Sequence, residues 1–212
     1  MEPSTEMMFY AKTSECENGG ILQPDSSCQC VNGYVGTKCE RLMRDCSEGY
    51  ISGFGYPDGY YSIQPTSSST PFTVRCVMAH GGRTIIQYRM ETPIATLDFN
   101  RSWAEYRDGF GLINKDHWLG LEKMYHICKP RILTLKVEMK FADYSFKQQF
   151  YYNFYLSGEA DGYRMHFSQT RGNSRVSLGD CLTPLNGSAF STYDRDNDND
   201  AGGCAARYES GF

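Results

Sequence analysis

The sequence predicts an α+β protein, with a small disulfide-stapled module ahead of a larger domain of mostly antiparallel strands and short helices. Three observations carry that expectation. Four of the nine cysteines crowd into residues 16–39, and the other five are spread over the rest of the 212-residue chain. Leu133, Leu135, Val137, Met139 and Phe141 alternate with Thr134, Lys136, Glu138 and Lys140, the period of two expected of a half-buried strand. Ser102 to Asp108 reads as a short helix, with Asn100 or Ser102 as cap and Gly109 as stop.

The cysteines at 16, 28, 30 and 39 have almost no apolar residues between them. A segment of that kind cannot build a core of its own and is held by cross-links. Zinc knuckles need paired C-x2-4-C steps, whereas the spacings here are twelve, two and nine with no histidine nearby. Disulfides are therefore expected, and with them an oxidising compartment. In the larger part, Thr84 to Met90, Phe150 to Leu156 and Tyr163 to Phe167 read as further strands. A second short helix is expected after Gly120, and the Gly- and Ser-rich stretches 52–59 and 66–70 read as loops.

Composition removes several function classes. Charge is nearly balanced, 21 Lys+Arg against 25 Asp+Glu for a net of -4, and no Lys/Arg run is present. A nucleic-acid binder needs a basic stripe, so none is expected here. No window approaches the ~18 apolar residues of a membrane span. His80, His117, His126 and His166 lie outside nucleophile-elbow and metalloprotease motifs, so no enzyme is expected. Met1 to Glu15 holds no apolar signal-peptide core, although disulfides require export. The expectation is a secreted protein whose N-terminus is incomplete here, with residues 1–11 flexible.

The string Cys16-Glu-Asn-Gly-Gly followed by Cys28-Gln-Cys30-Val-Asn-Gly33-Tyr34-Val-Gly36-Thr-Lys-Cys39 resembles an EGF-like repeat over residues 12–40. Gly33 and Gly36 suit its tight turns. The resemblance implies the pairs Cys16–Cys28 and Cys30–Cys39. The family's remaining bridge is missing as a unit, because Leu22 stands at one of its positions and no cysteine precedes Cys16. No acidic string precedes Cys16, so this module is expected to bind no metal. Residues 41–44 read as a linker.

From Asp45 to Phe212 a second set of strings occurs in order: Asp45-Cys46, Tyr60-Tyr-Ser-Ile-Gln-Pro65, Phe72-Thr-Val-Arg-Cys76-Val-Met78, Phe99-Asn-Arg-Ser-Trp103, Tyr106-Arg-Asp-Gly-Phe110-Gly111, Trp118-Leu-Gly120 and Phe190-Ser-Thr-Tyr-Asp-Arg-Asp-Asn-Asp198. Together they resemble the C-terminal domain of fibrinogen-related proteins, the group of ficolins, tenascin and angiopoietin tails and invertebrate lectins. In place of the family's usual Gly-Gly-Gly-Trp-Thr stands His80-Gly-Gly-Arg83-Thr84, with arginine where a core tryptophan is usual. The resemblance implies a Cys46–Cys76 bridge and a partner for Cys204 beyond Phe212. It also implies that the C-terminal part of the domain is missing here. Cys128 and Cys181 are extra to the pattern; their pairing with each other is the expectation and Cys181–Cys204 the competing choice.

Asp194, Asp196, Asp198 and Asp200 alternate with Arg195, Asn197 and Asn199. Carboxylates this close repel one another unless a hard cation or water screens them. The string is no EF-hand, since Asn199 and Ala205 stand where Gly and Glu are required. The resemblance implies a Ca2+ site from the carboxylates of Asp196 and Asp198 and the carbonyls of Asp200 and Gly202, with Asp194 as support or turn cap. Calcium is the only cofactor expected. Asn100-Arg-Ser102 and Asn186-Gly-Ser188 are glycosylation sequons.

The function implied is a secreted calcium-binding recognition module of lectin type, taking a glycan or acetylated group in a cleft beside the calcium loop. Tyr208 is the candidate cleft residue. An adhesion or signalling protein of tenascin or angiopoietin type, with an extracellular protein receptor, is the alternative. Neither a heptad repeat nor a collagen-like run is present to set the oligomeric state.

Overall fold

The computed structural model describes residues 16–79, 81–90, 97–129, 131–172, 177–198 and 202–211. The expectations for residues 1–11, His80 and Asp200 lie outside them.

The N-terminal stretch forms two ladders of minimal length, β1 (Ile21–Leu22) with β2 (Cys28–Gln29) and β3 (Tyr34–Val35) with β4 (Arg41–Leu42). Disulfides Cys16–Cys28 and Cys30–Cys39 staple them. Gly33 and Gly36 hold φ of 81° and 109°, the left-handed region that a side chain would strain. Residues 41–44, expected as a linker, carry β4 and the fully buried Met43. Met43 packs with Val35 in the main core, donates its N–H to Gly33 and accepts from Gln64 N, both at 2.9 Å. The small module is therefore seated on the larger one through backbone and core contacts.

Helix α1 (Cys46–Ile51) follows, in a stretch where sequence reading placed only a loop nearby. Asp45 caps it, its carboxylate accepting from Glu48 N at 3.0 Å. Strands β5 (Gly59–Ile63), β6 (Phe72–Val77) and β7 (Arg83–Ile85) form an antiparallel sheet, and Cys46–Cys76 pins α1 to β6. Arg83, at the position where the family usually carries tryptophan, lies half-buried on β7 with its Nε unpartnered.

The strand expected over Thr84–Met90 is split. Ile86 leaves the first sheet to accept from Leu119 N at 2.8 Å, and β8 (Gln87–Tyr88) joins a second sheet. Helix α2 (Trp103–Asp108) has Ser102, not Asn100, as its cap, with Glu105 completing a capping box. β9 (Phe110–Gly111) and β10 (His117–Trp118) complete the second sheet in the order β8-β10-β9. Helix α3 (Leu121–Cys128) buries Leu121, Met124, Ile127 and Cys128, the i, i+3, i+6, i+7 positions of one face.

Strands β11 (Leu133–Lys140) and β12 (Phe146–Leu156) form a long hairpin, and β13 (Met165–His166) and β14 (Gln169–Gly172) pair with the other edge of β12. The alternation of 133–141 does mark a strand, but the hairpin runs past the core and leaves Met139 and Phe141 exposed at its tip. The Tyr163–Phe167 strand begins late, because Tyr163 adopts φ 48° and is buried with its hydroxyl on Glu122. Helix α4 (Cys204–Arg207) closes the described residues.

The expected Cys128–Cys181 bridge is not formed. Cys128 is buried on the core face of α3, whereas Cys181 is exposed in the stretch after β14. Burial pushes the Cys128 thiol up to about 12, which leaves it an inert core residue.

Glu48 ties α1 to the segment before it, accepting from Arg41 at 2.9 Å and Arg44 at 2.6 Å. Burial opposes the charged carboxylate, but the two guanidinium groups outweigh it and hold its pKa down at about 2. A depressed carboxylate stabilises the fold fully above its ordinary value of 4.5 and loses that contribution as pH falls toward 2. Glu48→Gln should cost about 1–2 kcal/mol at neutral pH after allowance for solvent screening. In urea titrations it should also flatten the decline in stability between pH 4.5 and 2.

Candidate functional site

The acidic loop is built onto an aromatic centre. Tyr106 stands on α2 and Trp118 on β10, their rings 5.4 Å apart; Phe110 and Phe190 lie 5.0 and 5.1 Å from Tyr106. The Tyr106 hydroxyl donates to Phe99 O at 2.7 Å and accepts from Gly211 N at 3.0 Å, so it also fastens the segment after α4. Trp103, the first residue of α2, packs against Tyr163 and Phe190 and donates its indole N–H to Glu159 at 2.8 Å. The Arg195 guanidinium covers its ring at 3.8 Å.

Between Phe190 and Asp198 several backbone groups are held by hydrogen bonds. Ser191 and Thr192 are buried, and Thr192 and Arg195 exchange N–H···O bonds at 3.0 and 3.1 Å. Asn197 donates its N–H to Ser191 Oγ at 2.9 Å and its side-chain amide to Phe190 O at 2.7 Å. Asp194 is exposed, but one of its carboxylate oxygens is taken up by structure, accepting from Thr192 Oγ1 at 2.7 Å and from Trp103 N at 2.8 Å. It thereby satisfies a backbone donor at the start of α2 that no helical carbonyl can reach. Burial works against its charge, but these hydrogen bonds prevail and hold the carboxyl below its ordinary range.

Asp196 and Asp198 take a different place. Asp198 N–H donates to Asp196 Oδ1 at 3.1 Å, and Asp198 Oδ2 accepts from Cys204 N, the first residue of α4, at 2.8 Å. Gly203, at φ 61°, comes so close that a Cβ there would sit 3.4 Å from Asp196 Oδ2. The loop thus places Asp196 beside Gly203 and Asp198 on the N–H of Cys204; of the positions the sequence singled out, Asp200 lies outside the described residues. Carboxylate and carbonyl oxygens on a short loop are a donor set that fits a hard cation of calcium size. Among the described residues, no three His, Cys, Asp or Glu side chains converge as a metal cluster.

Tyr208 follows α4 and is 67% exposed, on the same segment as the Cys204 end of the loop. Asn100 is exposed. Asn186 spends its side-chain amide on Phe167, accepting from its N–H at 3.1 Å and donating to its carbonyl at 2.8 Å. Among the histidines, His117 is buried with Nδ1 2.9 Å from Lys115 O, and His166 stacks on Tyr155 at 4.7 Å. His126 lies between Ser67 Oγ at 2.9 Å and Glu122 at 3.2 Å, a tie between the 65–70 loop and α3. Glu122 also accepts from Tyr163, which anchors that tie in the core.

Sequence reading missed the clamp of Trp103 on Asp194 and Arg195. Its partners are 91 residues apart in sequence, and no local pattern links them.

These features define a disulfide-braced α+β globe with antiparallel sheets, an aromatic centre and an acidic loop at one end. The protein belongs to the family defined by the C-terminal globular domain of fibrinogen beta and gamma chains, which it matches over residues 42–212. It is 34% identical over 172 residues to Protein scabrous of Drosophila melanogaster, covering 81% of its own length and 20% of that protein. It is 32% identical over 192 residues to fibrinogen-like protein 1 of Bos taurus (85% and 60%) and 34% over 177 residues to human angiopoietin-related protein 1 (82% and 34%). The sequence thus spans between a fifth and three fifths of the length of these relatives. Among solved structures, the fibrinogen-like globe domain of human ANGPTL2 superposes with a TM-score of 0.73 at 31% identity, covering 80% of this protein and 76% of that one. A lamprey fibrin D-dimer complexed with the peptide Gly-His-Arg-Pro-amide superposes at 0.68 and 29% identity, covering 80% and 56%.

Removing the Asp194 carboxylate leaves an unmet N–H at α2. Asp194→Ala should cost about 1–3 kcal/mol, read as a lower urea midpoint. The parent's advantage should shrink as pH falls below the ordinary carboxyl value of 3.8, where a depressed carboxylate loses its contribution.

Proposed function

We propose that this protein is a secreted, non-catalytic recognition module whose binding end is the calcium-stabilised acidic loop, and that its ligand is an extracellular protein or peptide. The single observation that carries this reading is the loop itself. Asp194 is consumed in fixing it to α2, which leaves Asp196, beside Gly203, and Asp198, on the Cys204 N–H, as the carboxylates that support a hard-cation reading. Asp196 and Asp198, with the carbonyls of Asp200 and Gly202, hold Ca2+. The ion's role is to neutralise the carboxylates and set the loop's outward shape. Similarity to angiopoietin-related protein 1 and to a peptide-complexed fibrin fragment supports a protein or peptide ligand.

A lectin reading, with a glycan or acetylated group as ligand, rests on a separate observation. Tyr208 exposes a flat ring next to the loop's C-terminal anchor, and such rings suit sugar and acetyl faces. The stapled ladders of residues 16–42 form an EGF-like module that serves as spacer or adhesion element ahead of the globe.

Calorimetry should show weak Ca2+ binding by the parent and none by an Asp196→Ala/Asp198→Ala double variant. Equal binding by both would remove the metal site. Calcium-dependent retention on an acetylated-sugar resin, released by free N-acetyl sugar and lost in Tyr208→Ala, selects the lectin; no retention selects the protein ligand.

Secretion exposes both sequons to glycosylation. Asn100 should carry a glycan and Asn186 should not, because its amide is engaged with Phe167. Expression from a secreting eukaryotic cell followed by peptide mass mapping checks this site by site.

A further inference from the structure

The hairpin sheet presents two unlike faces. Pairing places Leu135 opposite Tyr151 and Val137 opposite Gln149, and Tyr151 and Gln149 are buried, so this face is turned to the protein. The opposite face carries Thr134 beside Tyr152, Lys136 beside Phe150, Glu138 beside Gln148 and Lys140 beside Phe146. Strand β14 extends two of these rows, with Gln169 beside Tyr152 and Arg171 beside Phe150. One row across three strands therefore reads Lys136–Phe150–Arg171, cation, ring, cation. Lys136 Nζ lies 5.9 Å from the Phe150 ring centroid, and the Phe150 and Tyr152 rings are stacked at 6.4 Å and 19°.

This face is open. Thr134, Glu138, Lys140, Phe146, Gln169 and Arg171 are all exposed, and Phe146 is 53% exposed. Among the described residues its charged groups are the cations Lys136, Lys140 and Arg171 and the carboxylate of Glu138, which pairs with Lys136, in a protein whose net charge is -4. The local sign is thus opposite to that of the molecule. Residues two apart on a strand lie about 7 Å apart and neighbouring strands about 5 Å apart. The cations therefore line a flat aromatic floor instead of converging on one point, which suits an extended polyanion with several charges more than a single bound ion.

We propose that this face of the β11–β12–β14 sheet binds a sulfated polysaccharide. Arg171, Lys140 and Lys136 would meet the sulfate groups, with the arginine offering a planar fork of donors. Phe146, Phe150 and Tyr152 would receive the apolar faces of the sugar rings. The surface lies on a different element from the acidic loop and requires no calcium, so it stands or falls independently of the function proposed above.

The test uses the full-length protein with its disulfides intact, immobilised heparin as probe, and EDTA present throughout. The parent should be retained at about 0.15 M salt and released as salt rises, because screening weakens such contacts. Lys140→Glu/Arg171→Glu changes two exposed residues. It should bind about tenfold more weakly with an unchanged urea midpoint, and Phe146→Ser should weaken binding without altering the salt dependence. Desulfated heparin should not compete. No retention of the parent, equal retention of the double variant, competition by desulfated heparin, or tighter binding to single-stranded DNA or phosphatidylserine vesicles would each overturn the proposal.

Discussion

The contact on which the arrangement of the acidic loop depends is the one between the start of α2 and that loop. Trp103 contributes a backbone N–H to Asp194, an indole N–H to Glu159 and a ring face to Arg195. Three segments far apart in sequence thus meet on one residue. A helix start has unmet donors, and a loop of alternating aspartates has excess negative charge. Each meets the need of the other. Glu159 extends the arrangement, lying 3.9 Å from Arg107 and 4.0 Å from Arg195.

Tyr106 supports this from beneath. Its ring is enclosed by Phe110, Trp118 and Phe190, and its hydroxyl holds Phe99 and Gly211. A buried tyrosine needs a partner for its hydroxyl, and here that need ties the segment before α2 to the one after α4. The acidic loop, which leaves Phe190 and ends at Cys204, is held between these two fixed points. Among the described residues its carboxylates are divided by their partners, Asp194 held by the start of α2 and Asp196 and Asp198 by the turn that leads into α4.

The two modules are joined by burial as well as by the continuous backbone. Met43 contributes a side chain to the larger core, and Tyr56 donates to Tyr34 O across the junction. The small module has only cysteines as its own cluster, so its order rests on disulfides and on this seat. The basic aromatic face of the hairpin lies on another element altogether, which lets one small globe carry two chemically opposite surfaces.

Much of this was legible in the sequence where the signal is local. The stapled module, the capped helix at 103–108, the alternating strand at 133–140 and the candidate loop carboxylates each follow from spacing within a dozen residues or from strings of the family. Tertiary structure decided what depends on distant partners. It split the strand at Ile86, left Met139 and Phe141 exposed, and kept Cys128 in the core away from Cys181. It also supplied the partner of Asp194, the backbone N–H of Trp103, where the sequence implied only a support or turn cap. The physical reason is the same in each case. Propensity and periodicity act over one turn or one strand, while burial and hydrogen-bond satisfaction are settled by whichever segment folding brings alongside.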